Sequence, residues 1–231
     1  SISQPPAKSW LWILESLGIV FLLNVYSNNL LTSAIKTPKL YFWDTGLCAY
    51  LCGWENPQTL CFGASSGAFL ENYVISELIK GCIYRGSQSK FYYYRDKAGR
   101  EIVLVIERNQ MITPIEIKRT ASPTKAMASS FSSLKVVPPY SMGNGAIICS
   151  QSKVLMLSEN LLSVPVSVVW MESGNSINCW CLKCSGLEAE RRLNEKSYVS
   201  KGVAKSQRKT MPYKNLGVTA KSKKRRCCNN F

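Results

Sequence analysis

Histidine is missing from the sequence of 231 residues. Acid–base catalysis by an imidazole and metal binding by histidine are therefore excluded. The phosphate-binding pattern G-x-x-x-x-G-K-[S/T] does not occur either. A nucleotide phosphate thus has no Gly-rich loop to bind to, and we expect no ATP site in this chain.

Acidic residues are also scarce, since 14 Asp and Glu stand against 29 Lys and Arg, which gives a net charge of +15. The excess is uneven. From Lys183 onward there are 14 basic and 3 acidic residues, whereas residues 1–182 hold 15 and 11. The net charge is thus +11 after residue 182 and only +4 before it. The basic character belongs to a C-terminal tail, and the globular part is nearly balanced.

Long apolar runs are missing as well. The most apolar stretch, residues 10–25, is interrupted by Glu15 and Gly18 and is shorter than the ~20 residues that span a bilayer. No signal peptide is visible, and the polar start at Ser1 suits a fragment of a longer protein. Five cysteines stand singly among apolar stretches, which predicts reduced, buried thiols and a cytoplasmic protein without membrane contact: Cys48, Cys52, Cys61, Cys82 and Cys149.

The hydrophobic pattern predicts an α/β fold with a mixed sheet flanked by helices. Residues 67–80 form the clearest helix, with Gly81 as its end. We expect strands at 19–26, 39–43, 90–95, 101–107, 112–118, 146–149 and 164–171, a weaker helix at 125–135, and a loop at 55–66. Ser9 can cap a first helix that buries Trp10, Ile13 and Leu14. This helix and two strands fit a winged-helix remnant or a plain α/β element equally well.

Four side chains could carry chemistry. Glu71 lies on the clearest helix, and Glu101 lies early in a long strand. Glu116 and Lys118 are two apart on the next strand, so they share one face while Ile115 and Ile117 occupy the other. A carboxylate beside an ammonium suits a metal-dependent phosphodiesterase, in which the carboxylate holds Mg²⁺ and the lysine stabilises phosphate charge. A cross-strand ion pair at a solvated strand end has the same pattern.

Three blocks resemble a family of prokaryotic AAA-type ATPases. The run from Lys36 to Leu47 is similar to its KTPKLYF-x-DTGL block, and Gly67 to Leu78 is similar to its GxxxExxVxxEL helix. Tyr94 to Glu107, followed by Pro114-Ile-Glu-Ile-Lys118, is the third. The resemblance covers about residues 8–170. It implies a winged-helix remnant and linker at 1–62 and, at 63–171, the family's C-terminal domain of unknown function (DUF4143 type), similar to PD-(D/E)xK nucleases with a restriction-endonuclease-like fold.

The resemblance also assigns the site residues. Glu71 matches the helix acid of the family, and Glu116 and Lys118 match its E-x-K pair. The family pattern Gly-x-Glu-x-Asp reads Gly99-Arg-Glu-Ile-Val103 here, so Val103 replaces a metal-binding Asp. Glu116 and Glu101 are the remaining candidates for weak Mg²⁺ binding. We expect Glu71, Glu101, Glu116 and Lys118 to converge on one side of the sheet, with Glu71 and Glu116 within ~15 Å of each other.

The segment 172–231 predicts a disordered basic tail, either a genuine extension or a frame-shifted product. Its basic cluster is a candidate nucleic-acid contact through phosphates, or simply a solvated charge run: Lys221, Lys223, Lys224, Arg225 and Arg226. Cys179, Cys181 and Cys184 have a possible zinc spacing, which Cys227 and Cys228 could complete, although adjacent cysteines suit one tetrahedral ion poorly.

Three functions follow from these residues. The first is a nuclease-like accessory domain that has lost catalysis and binds DNA or a partner, with an AAA-type ATPase domain, normally in the same chain, as its partner. The second is a weak Mg²⁺-dependent nuclease in which Glu101 replaces the missing Asp. The third is a decayed fragment without a function of its own. Val103 favours the first and third, whereas Glu116 and Lys118 keep the second open.

Overall fold

The computed structural model describes residues 4–27 and 37–170. In this part the helices are α1 (Gln4–Ser16), α2 (Thr45–Leu51), α3 (Pro57–Phe62) and α4 (Ser66–Tyr84), and 3-10 helices cover Lys125–Ser133 and Val166–Trp170. The strands are β1 (Val20–Val25), β2 (Lys39–Phe42), β3 (Lys90–Arg95), β4 (Glu101–Arg108), β5 (Met111–Lys118), β6 (Ser141–Met142), β7 (Gly145–Cys149), β8 (Leu155–Ser158) and β9 (Leu161–Pro165).

The strands described here form one mixed sheet in the order β2-β1-β3-β4-β5-β7-β9-β8, with β6 beside β5. Neighbours are parallel at β1–β3, β5–β7 and β7–β9, and antiparallel at β1–β2, β3–β4, β4–β5 and β8–β9. The predicted α/β class with a mixed sheet is confirmed. Both strands of the N-terminal segment, β1 and β2, extend this same sheet.

The main core lies between α4 and the centre of the sheet. Val74, Ile75 and Ile79 of α4 pack against β4 and β5, where Leu104 and Ile115 are buried. Strand β4 is buried throughout its apolar run Ile102–Ile106, as expected for a central strand covered on both faces. A smaller cluster on the other face includes Tyr26 and Leu134.

Several element boundaries differ from the sequence-based expectation. Residues 57–62, expected as loop, form helix α3, which begins after Asn56 because the Asn56 side chain accepts a hydrogen bond from the Thr59 amide. Helix α4 continues past Gly81 to Tyr84, and Gly86, at φ +62°, follows its end. The last strand, expected at 164–171, is β9 at Leu161–Pro165, and a 3-10 helix covers Val166–Trp170. Residues 125–133 are 3-10 helix with a kink at Ala128.

Helix α1 and the cysteines also differ in burial. Trp10, Ile13 and Leu14, expected to be buried, are 55%, 46% and 38% exposed, and the helix begins at Gln4 rather than after Ser9. Of the five thiols expected to be buried, Cys82 and Cys149 are, whereas Cys52 is exposed and Cys48 and Cys61 are half-buried. Within residues 4–27 and 37–170, the helices are too short or too polar to cross a membrane.

Candidate functional site

Strand β2 is hydrogen-bonded to helix α4 through one buried side-chain amide, that of Asn72. The Asn72 side chain accepts a hydrogen bond from the Phe42 amide at 2.8 Å and donates one to the Phe42 carbonyl at 2.7 Å. Asn72 thereby satisfies both backbone groups of Phe42, whose strand β2 lies at the edge of the sheet and has a neighbouring strand on one side. This pairing fixes Glu71, the neighbouring residue on α4, beside Lys39 and Tyr41 of β2.

Lys39 lies between the carboxylates of Glu71 and Glu101. Its Nζ is 3.5 Å from Oε1 of Glu71, and it forms a direct ion pair with Oε1 of Glu101. Tyr41 donates a hydrogen bond to the same Glu71 oxygen at 2.6 Å. Burial, followed by the charge of Glu71, raises the pKa of Tyr41, so its hydroxyl remains a donor at any ordinary pH. Arg95 Nε approaches the other Glu101 oxygen at 3.9 Å.

Glu116 and Lys118 form a second pair on β5. Lys118 Nζ is 2.9 Å from Glu116 Oε1, which confirms that the two side chains share a face. Ile115 and Ile117 pack into the core against α4, as alternation predicts. Glu116 is 4% exposed. Burial raises the pKa of Glu116, Lys118 lowers it, and the nearby charges of Glu71 and Glu101 raise it further.

Val103 occupies the position where the resembled family has a carboxylate. It is 7% exposed and belongs to the core cluster that packs against α4. The antiparallel ladder of β4 and β5 ends with Leu104 opposite Ile115, one residue from Val103 and from Glu116. Val103 and Glu116 each lie one residue beyond this last pair, and an apolar side chain stands where a second metal ligand was expected.

The present arrangement does not fit a metal ion well. Among the described residues, no group of three or more His, Cys, Asp or Glu side chains is placed to hold one. Glu71 and Glu101 both contact the Lys39 ammonium, and Glu116 contacts that of Lys118. In the structure, Glu71 and Glu101 thus lie together around the Lys39 ammonium, and Glu116 pairs directly with Lys118. A single ligand site made by all four predicted residues stays a prediction.

Lys39, Tyr41 and Asn72 were not selected as site residues from the sequence. Lys39 and Tyr41 are two apart on a strand and so share a face, and Asn72 is adjacent to Glu71. These spacings were visible, but the partners lie 30 to 62 residues away along the chain. Such distant pairing can be found from a fold but not from local periodicity.

A motif for a serine nucleophile also occurs, in the run Gly63-Ala-Ser-Ser-Gly67. Its Ser65 precedes helix α4 but follows helix α3 rather than a strand. The Ser65 backbone is in the ordinary right-handed helical region, at φ −81° and ψ −4°. A nucleophile elbow needs a strained strand-to-helix turn and a histidine, and the chain has no histidine. We therefore interpret this run as a helix start.

The predicted tail contacts lie outside the described residues. These are the basic cluster of Lys221, Lys223, Lys224, Arg225 and Arg226 and the zinc candidates Cys179, Cys181, Cys184, Cys227 and Cys228. Both stay predictions.

Comparisons with known proteins match two segments of the chain. Residues 66–169 match the family model described as "Domain of unknown function (DUF4143)", and residues 1–58 match "Domain of unknown function (DUF8612)". Similar curated proteins include uncharacterized proteins of Mycobacterium bovis and Mycobacterium tuberculosis, each 25% identical over 170 residues. The alignment covers 73% of this chain and 36% of each relative, so the chain spans about a third of their length. No solved structure matches the chain.

Proposed function

We propose that the chain is a nuclease-like accessory domain that binds DNA without cleaving it. In this proposal residues 63–171 have a restriction-endonuclease-like fold, residues 1–62 derive from a winged-helix segment, and an AAA-type ATPase domain is the partner in a cytoplasmic protein. The match of residues 66–169 to a family of unknown function is compatible with the resemblance on which this proposal rests.

The observation that carries the proposal is a buried valine, Val103, at the position where the resemblance implies a metal-binding carboxylate. Mg²⁺ gives up its water reluctantly and needs carboxylates in good geometry. A valine supplies neither charge nor oxygen, and the remaining acids already contact protein cations. Hydrolysis of a phosphodiester by a metal-bound water would therefore lack its metal, whereas binding of DNA by charge would not need one.

DNA binding is proposed for the basic cluster that ends the tail. Lysine and arginine bind phosphates by releasing condensed counterions, which makes affinity fall steeply with salt. The cluster residues are Lys221, Lys223, Lys224, Arg225 and Arg226. The domain before residue 183 carries a net charge of only +4, so it contributes less to this attraction than the tail at +11.

The test is fluorescence anisotropy of labelled duplex DNA with the full chain in EDTA, over a range of salt concentrations. A variant with all five cluster residues changed to glutamine should bind more weakly. Its slope of log affinity against log salt should shrink by about 0.9 for each phosphate that the variant no longer neutralises. The matched control neutralises five other basic residues of the same tail: Lys201, Lys205, Arg208, Lys209 and Lys214. Equal effects of the two variants, or no binding at low salt, would contradict the proposal.

A weak nuclease is the second candidate, and one observation favours it. Glu101, Glu116 and Lys118 are all present, and the charge of Glu101 acts on Glu116. In that case Glu101 would have to leave Lys39 and serve as the missing metal ligand. Cleavage assays distinguish the two candidates. A chain that neither binds nor cleaves DNA would support the third possibility, a decayed fragment.

A further inference from the structure

We infer that the Lys39 ammonium is the counter-ion of the Glu71 and Glu101 carboxylates. It thereby occupies the position that a divalent cation would need between them. This inference goes beyond the proposed function and does not depend on DNA binding. Val103 explains why a carboxylate ligand is missing on β4. Lys39 explains why the position between Glu71 and Glu101 is already occupied.

The contacts support a specific position for the ammonium. Lys39 Nζ contacts Oε1 of Glu71 and Oε1 of Glu101, which belong to α4 and β4. The three side chains are each about a quarter to a third exposed, at 27%, 26% and 30%. They therefore lie at a partly closed surface where solvent still reaches them. The Tyr93 ring centroid lies 5.3 Å from Nζ and closes another side.

The position of Lys39 is determined by its surroundings rather than by its own flexible stem. Asn72 clamps the end of β2 to α4, and β2 is paired with β1 from Lys39 to Phe42. Tyr41, two residues after Lys39 on the same face, is buried and bonded to Glu71. The backbone of Lys39 is therefore held within reach of both carboxylates by the pairing of β2 with β1 and by Asn72.

Charge balance follows from these contacts. Glu71 and Glu101 contribute two negative charges, and Lys39 and Arg95 contribute two positive charges within 4 Å of them. A divalent cation would approach a cluster whose charges already cancel, and the like charge of the Lys39 ammonium would repel it at close range. At 4 Å two unit charges repel by about 1 kcal/mol in water and by about 4 kcal/mol near a protein surface. Removal of the Lys39 charge should therefore raise divalent-cation affinity by roughly fivefold to a thousandfold, since about 1.4 kcal/mol corresponds to a factor of ten.

The test is Mn²⁺ binding to the full chain, followed by electron paramagnetic resonance, with thermal unfolding in EDTA and in Mn²⁺. Lys39→Met keeps the length of the stem and removes the charge. This variant should melt lower than wild type in EDTA, because the two carboxylates then repel each other, and should bind Mn²⁺ and regain stability. The added change Glu101→Gln should abolish that gain and so assign the ion to the pair.

Lys90→Met is the matched control, because Lys90 pairs with the single carboxylate of Glu107 away from this cluster. It should not change Mn²⁺ affinity. If Lys39→Met does not fold in EDTA, refolding in Mn²⁺ becomes the readout, and recovery supports the inference. Two results would overturn the inference. In the first, wild type binds Mn²⁺ as tightly as Lys39→Met does, and Glu101→Gln abolishes that binding. In the second, Lys39→Met gains no response to Mn²⁺.

Discussion

Val103→Asp restores the carboxylate that the resembled family has at this position. Val103 is 7% exposed in the core cluster, so its exchange removes nearly all the apolar burial of one valine. That loss costs about 1.5–3 kcal/mol. A buried polar group without full hydrogen bonding costs about 1–3 kcal/mol more. In EDTA we therefore expect Val103→Asp to be about 2.5–6 kcal/mol less stable than wild type.

Binding of a divalent cation should restore part of the stability that Val103→Asp loses. The new carboxylate would lie one residue beyond the last β4–β5 ladder pair on β4, and the buried Glu116 lies one residue beyond it on β5. Two carboxylates in one buried place repel each other, and a metal ion relieves that repulsion. A ligand at 100 times its dissociation constant stabilises the native state by about 2.7 kcal/mol. Mg²⁺ should thus raise the melting temperature of Val103→Asp but not that of wild type.

Thermal unfolding in EDTA and in Mg²⁺ measures both effects. Val103→Asn is the matched control, because it loses the same apolar burial and gains a polar side chain of the same size without charge. It should be destabilised in EDTA and should not respond to Mg²⁺. The reasoning is refuted if Val103→Asn responds like Val103→Asp, or if Val103→Asp is as stable as wild type in EDTA.

Two further predictions concern the same charged cluster. Tyr41→Phe removes a hydrogen bond to the Glu71 carboxylate and should cost about 1.5–3 kcal/mol in urea unfolding; an unchanged midpoint would show that this bond adds nothing. Glu116 has a raised pKa because of its burial, so the folded state favours its protonated form, and the resulting stabilisation at low pH is lost as pH rises through the folded pKa. Glu116→Gln removes this dependence, so its melting temperature relative to wild type should be higher at pH 7 than at pH 4. The same difference at both pH values would contradict the assigned cause.

Local patterns predicted much of the fold. The period of two on β5 placed Glu116 with Lys118 and Ile115 with Ile117, because the spacing fixes the face wherever a strand forms. A strand was expected at 101–107, and β4 covers Glu101–Arg108. These are properties of a few adjacent residues, which a sequence displays directly.

Features that depend on distant partners were missed. Gly81 was expected to end α4, but Cys82 is buried beyond it, so packing extends the helix to Tyr84 despite the glycine. Trp10 and Ile13 looked like a buried face by periodicity alone, which does not specify what covers the helix. Lys39 lies 62 residues from Glu101, so only the assembled sheet and α4 bring its ammonium into the site.

Plasmid nicking in Mg²⁺ or Mn²⁺ tests the central claim most directly, with wild type, Val103→Asp and Lys118→Ala compared. The account predicts no nicking above background by wild type, since the proposed nuclease site has Val103 where it needs a metal ligand and Lys39 occupies the Glu71–Glu101 pair. Val103→Asp should bind the metal ion, and should cleave if the resembled family is catalytic. Robust cleavage by wild type that Lys118→Ala abolishes would contradict the account and would show that Glu101 replaces the missing acid.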